Sequence, residues 1–468
     1  MMFPINSILR ACGFARAVLS LLVAAVLLLL PGRAAAKPNI VYILADDLGY
    51  GDLGCYGQEL IRTPRIDRLA ADGMRFTDHH AGAPSCAPSR CVLMTGKHTG
   101  HARIRANSDV PLRPEDATLA EALSRAGYAT GAFGKWGLGR EDSTGAPWRK
   151  GFDEFFGYLD QTHAHTYYPD HLWRNDRRVE IPENRNGRRQ VYSHDLLADE
   201  ALGFIRRHRA RPFFLYVPFT IPHAEVIVPE DSVAEYRVRW PEPKAFPGSR
   251  TYSPQDRPRA VRAAMITRMD RDIGRIVDLL DELRISDRTL VIVTSDNGPV
   301  TAGGQDPEFF GSAGPLRGLK FTLYEGGIRV PFIARWPGHI EPGSTSHLAS
   351  DFADMFPTLA GLAGASPPEA LDGVSILPTL LGKPGEQQKR ADFYWEAAPQ
   401  QAVRVGNWKA CRAAPDRPLE LYDLARDLGE SRDVAGQHPD MAARMAKLMI
   451  DARLDSPEFP LVKEGRKE

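Results

Sequence analysis

Residues 39–47 read N-I-V-Y-I-L-A-D-D, an almost unbroken apolar run that ends on two adjacent carboxylates. A continuous run of this length predicts a strand buried on both faces, the habit of a parallel sheet covered by helices. The neighbouring segments repeat the theme. Thr63-Pro64 opens a helix that closes at Gly73, with proline in its first turn. Thr118-Leu-Ala-Glu121 is a capping box, Gly127 ends that helix, and Ala129 to Phe133 follows as a short strand. Phe213 to Phe219 is another buried strand. Val261, Met265, Met269, Ile273, Ile276, Val277, Leu280 and Leu283 share one helical face, ahead of the strand Thr289 to Thr294. Strands alternating with helices predict an α/β domain with a large, mostly parallel sheet over residues 37–364.

Beyond residue 365 the texture changes. Pro-rich connections lead to D-F-Y-W (392–395), A-V-R-V-G-N-W-K-A (402–410) and L-E-L-Y-D-L (419–424), then an amphipathic stretch near Asp440 to Leu454. This predicts a smaller C-terminal subdomain, 365–468, of antiparallel sheet plus helix. Arg174 to Arg189, rich in Arg and Asn, reads as an exposed loop.

Lys plus Arg and Asp plus Glu both number 59 in the 468 residues, so no net charge points to nucleic acid or to a solvating tail. Residues 1–36 differ from the rest. Arg10 and Arg16 precede an apolar run from Ala17 to Leu30, followed by Pro31-Gly32 and Ala34-Ala35-Ala36. That is the pattern of a secretory signal peptide; the run is short of the roughly 20 residues an anchor helix needs. The expectation is an exported protein, periplasmic or secreted, with no stable membrane association after cleavage. No Asn-x-Ser/Thr sequon occurs, which favours a bacterial envelope. Cys12 leaves with the signal, and Cys55, Cys86, Cys91 and Cys411 are too few for a disulfide framework and contain no C-x-x-C pair.

Strand ends are where such sheets place their working groups. Asp46-Asp47 ends the first strand and Asp296-Asn297 ends the Thr289–Thr294 strand. Either pair alone is equally well a turn cap. Together, three carboxylates and an amide oxygen form a hard all-oxygen site suited to Ca²⁺ or Mg²⁺ and not to Zn²⁺. Cys86 stands at the start of a helix through Thr95, where free N–H groups bind anions and lower a thiol's pKa. On the cysteine alone, a buried structural thiol or a Cys86–Cys91 disulfide is the simpler reading.

The stretch C-A-P-S-R (86–90) followed by L-M-T-G-K (93–97) resembles the C-x-P-S-R-x-x-x-x-T-G signature of type I sulfatases, in the alkaline phosphatase superfamily. The resemblance continues through Asp46-Asp47, G-K-W (134–136), I-P-H (221–223), S-D-N-G (295–298), L-R-G-L-K-F-T-L-Y-E-G-G (316–327) and L-Y-D-L-A-R-D-L-G-E (421–430). It implies that Cys86 is oxidised to Cα-formylglycine by a formylglycine-generating or sulfatase-maturing enzyme that reads C-x-P-x-R. One hydroxyl of the hydrated aldehyde attacks sulfur, and the other expels sulfate afterwards. It further implies that Asp46, Asp47, Asp296 and Asn297, with residue 86, hold Ca²⁺ in preference to Mg²⁺. Arg90 orients the nucleophile, Lys135 and Lys320 bind sulfate oxygens, and His223 protonates the leaving alcohol.

One departure stands out. Where the family's motif continues G-K-W-H-L-G, with a histidine for sulfate release, this chain reads G-K-W-G-L-G, with Gly137 in its place. His163 and His165, in Q-T-H-A-H-T-Y-Y-P-D-H-L-W (161–173), are candidates for the missing imidazole; incidental histidines of a partly exposed loop account for the segment equally well. The expected substrate is a sulfated small molecule or saccharide, and no nucleic acid is expected as a partner. The alternatives are a phosphonate or phosphate ester hydrolase of the same superfamily, and a non-catalytic protein that binds sulfated glycans.

Overall fold

The computed structural model describes residues 37–462 apart from residue 369; residues 1–36, where a signal peptide is expected, lie outside the described residues. Sixteen strands are present among them. They are β1 (Asn39–Ala45), β2 (Met74–Phe76), β3 (His79–His80), β4 (Ala129–Lys135), β5 (Glu154–Tyr158), β6 (His171–Arg174), β7 (Arg177–Glu180) and β8 (Phe213–Pro218). There follow β9 (Thr289–Ser295), β10 (Phe332–Arg335), β11 (Ser344–Ser346), β12 (Ser350–Asp351), β13 (Phe393–Ala397), β14 (Gln400–Val405), β15 (Trp408–Arg412) and β16 (Glu420–Asp423).

Ten of these make one sheet in the order β11-β2-β10-β9-β1-β8-β4-β5-β6-β7. Its centre is parallel, from β9 through β1, β8 and β4 to β5, and antiparallel pairings join β10, β6 and β7 to its flanks. Strand β1 shows why the run is apolar throughout. Val41, Ile43 and Ala45 face one core, with Leu197 and Ile266 from the helices Ser193–His208 and Pro258–Glu282. Ile40, Tyr42 and Leu44 face the other, with Val92 and Leu359 from the helices Cys86–Thr95 and Met355–Ala363. Side chains alternate along a strand, so two covered faces require apolar residues at every position. Each large aliphatic side chain buried this way stabilises the fold by about 1.5–3 kcal/mol. The expected capping box is present: Thr118 Oγ1 accepts the Glu121 N–H, and a Glu121 oxygen accepts the Thr118 N–H.

Strands β13–β16 form the expected small antiparallel sheet. One face packs Tyr394, Val403 and Leu421 on Met445 and Met449 of the helix Pro439–Asp451. The other presents Trp395 and Ala402 to Leu323 and Ile328.

The Arg174–Arg189 reading is corrected. Rather than a loop, the stretch supplies β7, which pairs antiparallel with β6. Val179 is its sole apolar residue and packs against the core. The other side chains are charged, as suits an edge strand that must not recruit further strands.

Candidate active site

Strands β1, β4 and β9 deliver their terminal residues to one end of the sheet. Ala45 and Ser295 are register partners, so Asp46 and Asp296 lie side by side, with the Asp296 N–H donating to Ala45 O at 3.1 Å. Asp47 takes φ 66°, a left-handed conformation that Asp tolerates better than most residues. That reversal lets consecutive carboxylates serve one cluster. Asp46 meets Cys86 and Lys135, while Asp47 meets Lys320 and Asn297.

Cys86 is the first residue of the helix Cys86–Thr95, every residue of which is buried. The preceding segment is pinned by Ser89 Oγ, which accepts the Gly82 N–H at 3.1 Å. Asn107 Oδ1 accepts the Ala87 N–H at 2.9 Å, satisfying one of the helix's free donors. The Cys86 thiol donates to Asp46 Oδ1 at 3.3 Å, and Lys320 Nζ approaches its sulfur at 3.4 Å. The helix start does not acidify this thiol: burial, then the Asp46 carboxylate, push it up to about 12. The four cysteines among the described residues are free, so no Cys86–Cys91 bridge forms.

Three cations balance the three acids. Arg90 donates to Asp296 Oδ2 through Nε at 3.0 Å and a terminal nitrogen at 2.8 Å, and also to the Lys135 carbonyl. Lys135 Nζ donates to Asp46 Oδ2 at 2.7 Å, and Lys320 Nζ to Asp47 Oδ2 at 3.0 Å. Burial works against the charge on Asp46, yet Lys135, His223 and Arg90 hold its carboxyl well below the usual range. Asp296 goes the other way, raised to about 6 by burial and by the charge on Asp46. His223 places Nε2 3.5 Å from Asp47 Oδ2, and its Nδ1 meets the Ala224 carbonyl.

These residues fit a divalent cation. Ligand atoms of Asp46, Asp47, Cys86 and His223 lie within 4.8 Å of one another. Asn297 donates through Nδ2 to Asp47 Oδ1 at 2.7 Å, yet its Oδ1 is a buried acceptor without a partner. A buried amide oxygen left unpaired beside crowded carboxylates is costly unless a cation meets it, and the donor set is that of a hard ion.

The two candidate histidines part company. His165 stacks on His223 with centroids 4.7 Å apart and planes 10° from parallel, and its Nδ1 is buried and unpartnered. Burial, then His223, hold it down to about 3, so it is a neutral ring. His163 instead stacks on His171 at 4.3 Å and meets the edge of Tyr158 at 4.9 Å. The space at Gly137 holds a side chain from elsewhere. A Cβ at Gly137 would lie 2.1 Å from Gln161 Nε2, and both polar atoms of Gln161 are buried without partners. Sequence reasoning missed Gln161 as well as Tyr252, whose ring lies 5.6 Å from His165.

This arrangement of a buried helix-start residue, three cations and an oxygen cluster at a sheet's carboxyl end has the donors and charges that an ester of a tetrahedral oxyanion requires. A family model described as Sulfatase matches residues 38–365, and one described as N-sulphoglucosamine sulphohydrolase, C-terminal, matches 319–455. Human arylsulfatase A is 34% identical, the alignment covering 92% of this chain and 91% of that protein. The N-acetylgalactosamine-6-O-sulfatase of Bacteroides thetaiotaomicron is 31% identical over 89% of this chain and 93% of its own length. The solved structure of Ps i-CgsB in complex with k-i-k-neocarrahexaose superposes with a TM-score of 0.76 at 28% identity, covering 89% of this chain and 92% of that one. The chain belongs to the sulfatase family, the type I sulfatases of the alkaline phosphatase superfamily. It is a sulfuric ester hydrolase.

Proposed function

We propose that the chain hydrolyses sulfate monoesters of a saccharide, with residue 86 matured to Cα-formylglycine and Ca²⁺ as the resident ion. The observation that carries this is the placement of residue 86. Its side-chain atom sits between Asp46 and Lys320, on a buried helix start, beside an amide oxygen that lacks a partner. Asp46, Asp47, Asp296 and Asn297 would hold the cation, which when bound would withdraw charge from a sulfate oxygen and from the residue-86 oxygen. The formylglycine hydrate would supply one hydroxyl to attack and a second to release sulfate.

The chain's own side chains do the rest. Lys135 and Lys320 present ammonium donors to sulfate oxygens, inside a cluster dry enough for each to count heavily. Arg90 is fixed by Asp296 and the Lys135 carbonyl, and its charge offsets the Asp46 and Asp296 carboxylates beside residue 86. His223, with Nδ1 donating to Ala224, can protonate the departing alcohol through Nε2 only as the imidazolium, a form that burial opposes, holding the ring down to about 4, and that Asp47 favours. His165, stacked on it with a free Nδ1, takes the role of base for release. The saccharide reading draws on the relatives named above and on the cavities beside the cluster. Export to a periplasm or beyond, after modification by a formylglycine-generating or sulfatase-maturing enzyme, draws on residues 1–36 and C-A-P-S-R.

Mass spectrometry of the peptide carrying residue 86, on protein from its native source, is the test, paired with kcat/KM on aryl sulfate and aryl phosphonate. An aldehyde and a preference for sulfate are expected. An intact thiol, or a preference for phosphonate, would sink the reading. His165→Ala is expected to lower kcat about tenfold more than His163→Ala does, within the usual range for a general base.

A further inference from the structure

Two cavities open beside the cluster, and their walls differ in charge. The larger, of about 450 Å³, has Ser85, Asn107 and Phe321 on the side of Cys86 and Lys320. Its charged groups are matched within the protein. Arg105 faces Glu396 at 3.4 Å, and Glu458 is held by Arg103 at 2.6 Å. The smaller, of about 240 Å³, is lined by His165, Arg188, Arg189, Thr251 and Ser253. It shares a wall with the sulfate cluster, because His165 stacks on His223 and Tyr252, between Thr251 and Ser253, packs on His165.

Here the cations are not matched. Within the same stretch, Arg174 pairs with Glu200, and Arg178 and Arg185 with Glu180. Arg188 and Arg189 join no carboxylate among the described residues. Arg188 donates to the carbonyls of Arg185 and Pro182, at 3.1 and 2.6 Å, and Arg189 to Ser253 Oγ at 3.3 Å. Both side chains are exposed, and these contacts direct them to the cavity without cancelling their charge. The acid on this wall, Glu225, is buried and accepts the Ser253 N–H at 3.0 Å. Guanidinium groups recognise planar or tetrahedral oxyanions through paired hydrogen bonds. A cavity of 240 Å³ is below the usual size for a whole ligand, and suits one ring with its substituent.

We propose that this cavity is a subsite for a second anionic group, a sulfate or a carboxylate, on the leaving-alcohol side of the substrate. The route follows from His223: the alcohol departs past its Nε2, and His165, stacked on that ring, lines the same cavity as the arginines. The substrates are then saccharides with more than one negative charge. This rests on the sulfatase reading above.

The test compares kcat/KM on three saccharides sharing one scissile sulfate: one with no other anion, one with a second sulfate, and one with a neighbouring carboxylate. A simple aryl sulfate serves as reference. The wild type is expected to prefer a second anion about tenfold or more, the worth of a charge-assisted hydrogen bond. A preference for the second sulfate assigns the subsite to sulfate, and one for the carboxylate assigns it to carboxylate. Arg188→Gln with Arg189→Gln is expected to erase most of the preference, chiefly through KM. Arg189→Lys, which keeps the charge, is expected to retain part of it. Should the double variant fold poorly by thermal melt, the wild-type preference must still shrink as salt rises. Equal kcat/KM on all three saccharides, or a preference untouched by removing both charges, would overturn the subsite while aryl sulfate turnover kept the sulfatase reading. No turnover of any sulfate ester would remove both.

Discussion

Gly137 explains itself at the level of single atoms. Its φ of +79° is a conformation that side chains adopt at a cost of about 1–3 kcal/mol, and Gln161 already fills the space beyond. Gly137→His should therefore lower both the melting temperature and kcat/KM, despite restoring the residue of the family's motif. Adding Gln161→Ala should return part of each loss, because the two changes share one space and cannot be additive. A double variant that melts below Gly137→His would show that Gln161 is not the occupant. Nothing local in the sequence announces Gln161. It lies 24 positions beyond Gly137, and only the pairing of β4 with β5 brings them together. Asp46, Asp47, Asp296 and Asn297 were legible because each pair follows a largely apolar, buried strand. Lys135, His223 and Lys320 became visible only through the family resemblance, since a lone cation or imidazole near a strand has no spacing to interpret.

Secondary-structure elements carry their own titration. His98 is buried in the turn after the helix Cys86–Thr95, and its Nδ1 accepts the Gly100 N–H at 3.1 Å. Burial holds its pKa down to about 3, so the folded chain keeps it neutral while the unfolded chain protonates it below about 6.5. Its contribution is complete above that unfolded value and drains as pH falls from about 6.5 towards 3. At pH 5 the loss is about 2 kcal/mol. His98→Gln should thus melt lower than wild type at pH 7.5, with the gap narrowing at pH 5; a constant gap would refute the assignment. The hairpin of β6 and β7 was illegible for a related reason. β6 offers Leu172 and Trp173, but β7 is charged at every position except Val179, and one apolar residue makes no alternation.

Across the whole molecule, the C-terminal sheet is tied to the active-site segment by buried charge. Lys409 of β15 lies between Glu325, at 2.8 Å, and Glu430, at 2.9 Å, all fully buried. Glu325 follows Lys320 by five residues, so this sheet fixes the lysine that faces Cys86. Lys409→Met should cost about 3–5 kcal/mol by leaving carboxylates uncompensated, and should lower kcat as well as the melting temperature. An unchanged melt would show that His80 and Arg329, which also contact Glu325, suffice. Stripping the ion with a chelator should lower activity and melting temperature together, by about 2.7 kcal/mol relative to a hundredfold excess of ion over its Kd. Ca²⁺ should restore both better than Mg²⁺; the opposite order would reassign the metal.

The burial of the whole Cys86–Thr95 helix also sets an order of events during biosynthesis. An enzyme that reads C-A-P-S-R as an extended peptide finds none of those side chains at the surface once the sheet has closed over them. Under the proposed maturation, the oxidation would have to come early, before the sheet closes. On that proposal, a molecule that reached its native state with the sulfur in place would stay sealed and idle, however much maturing enzyme surrounded it.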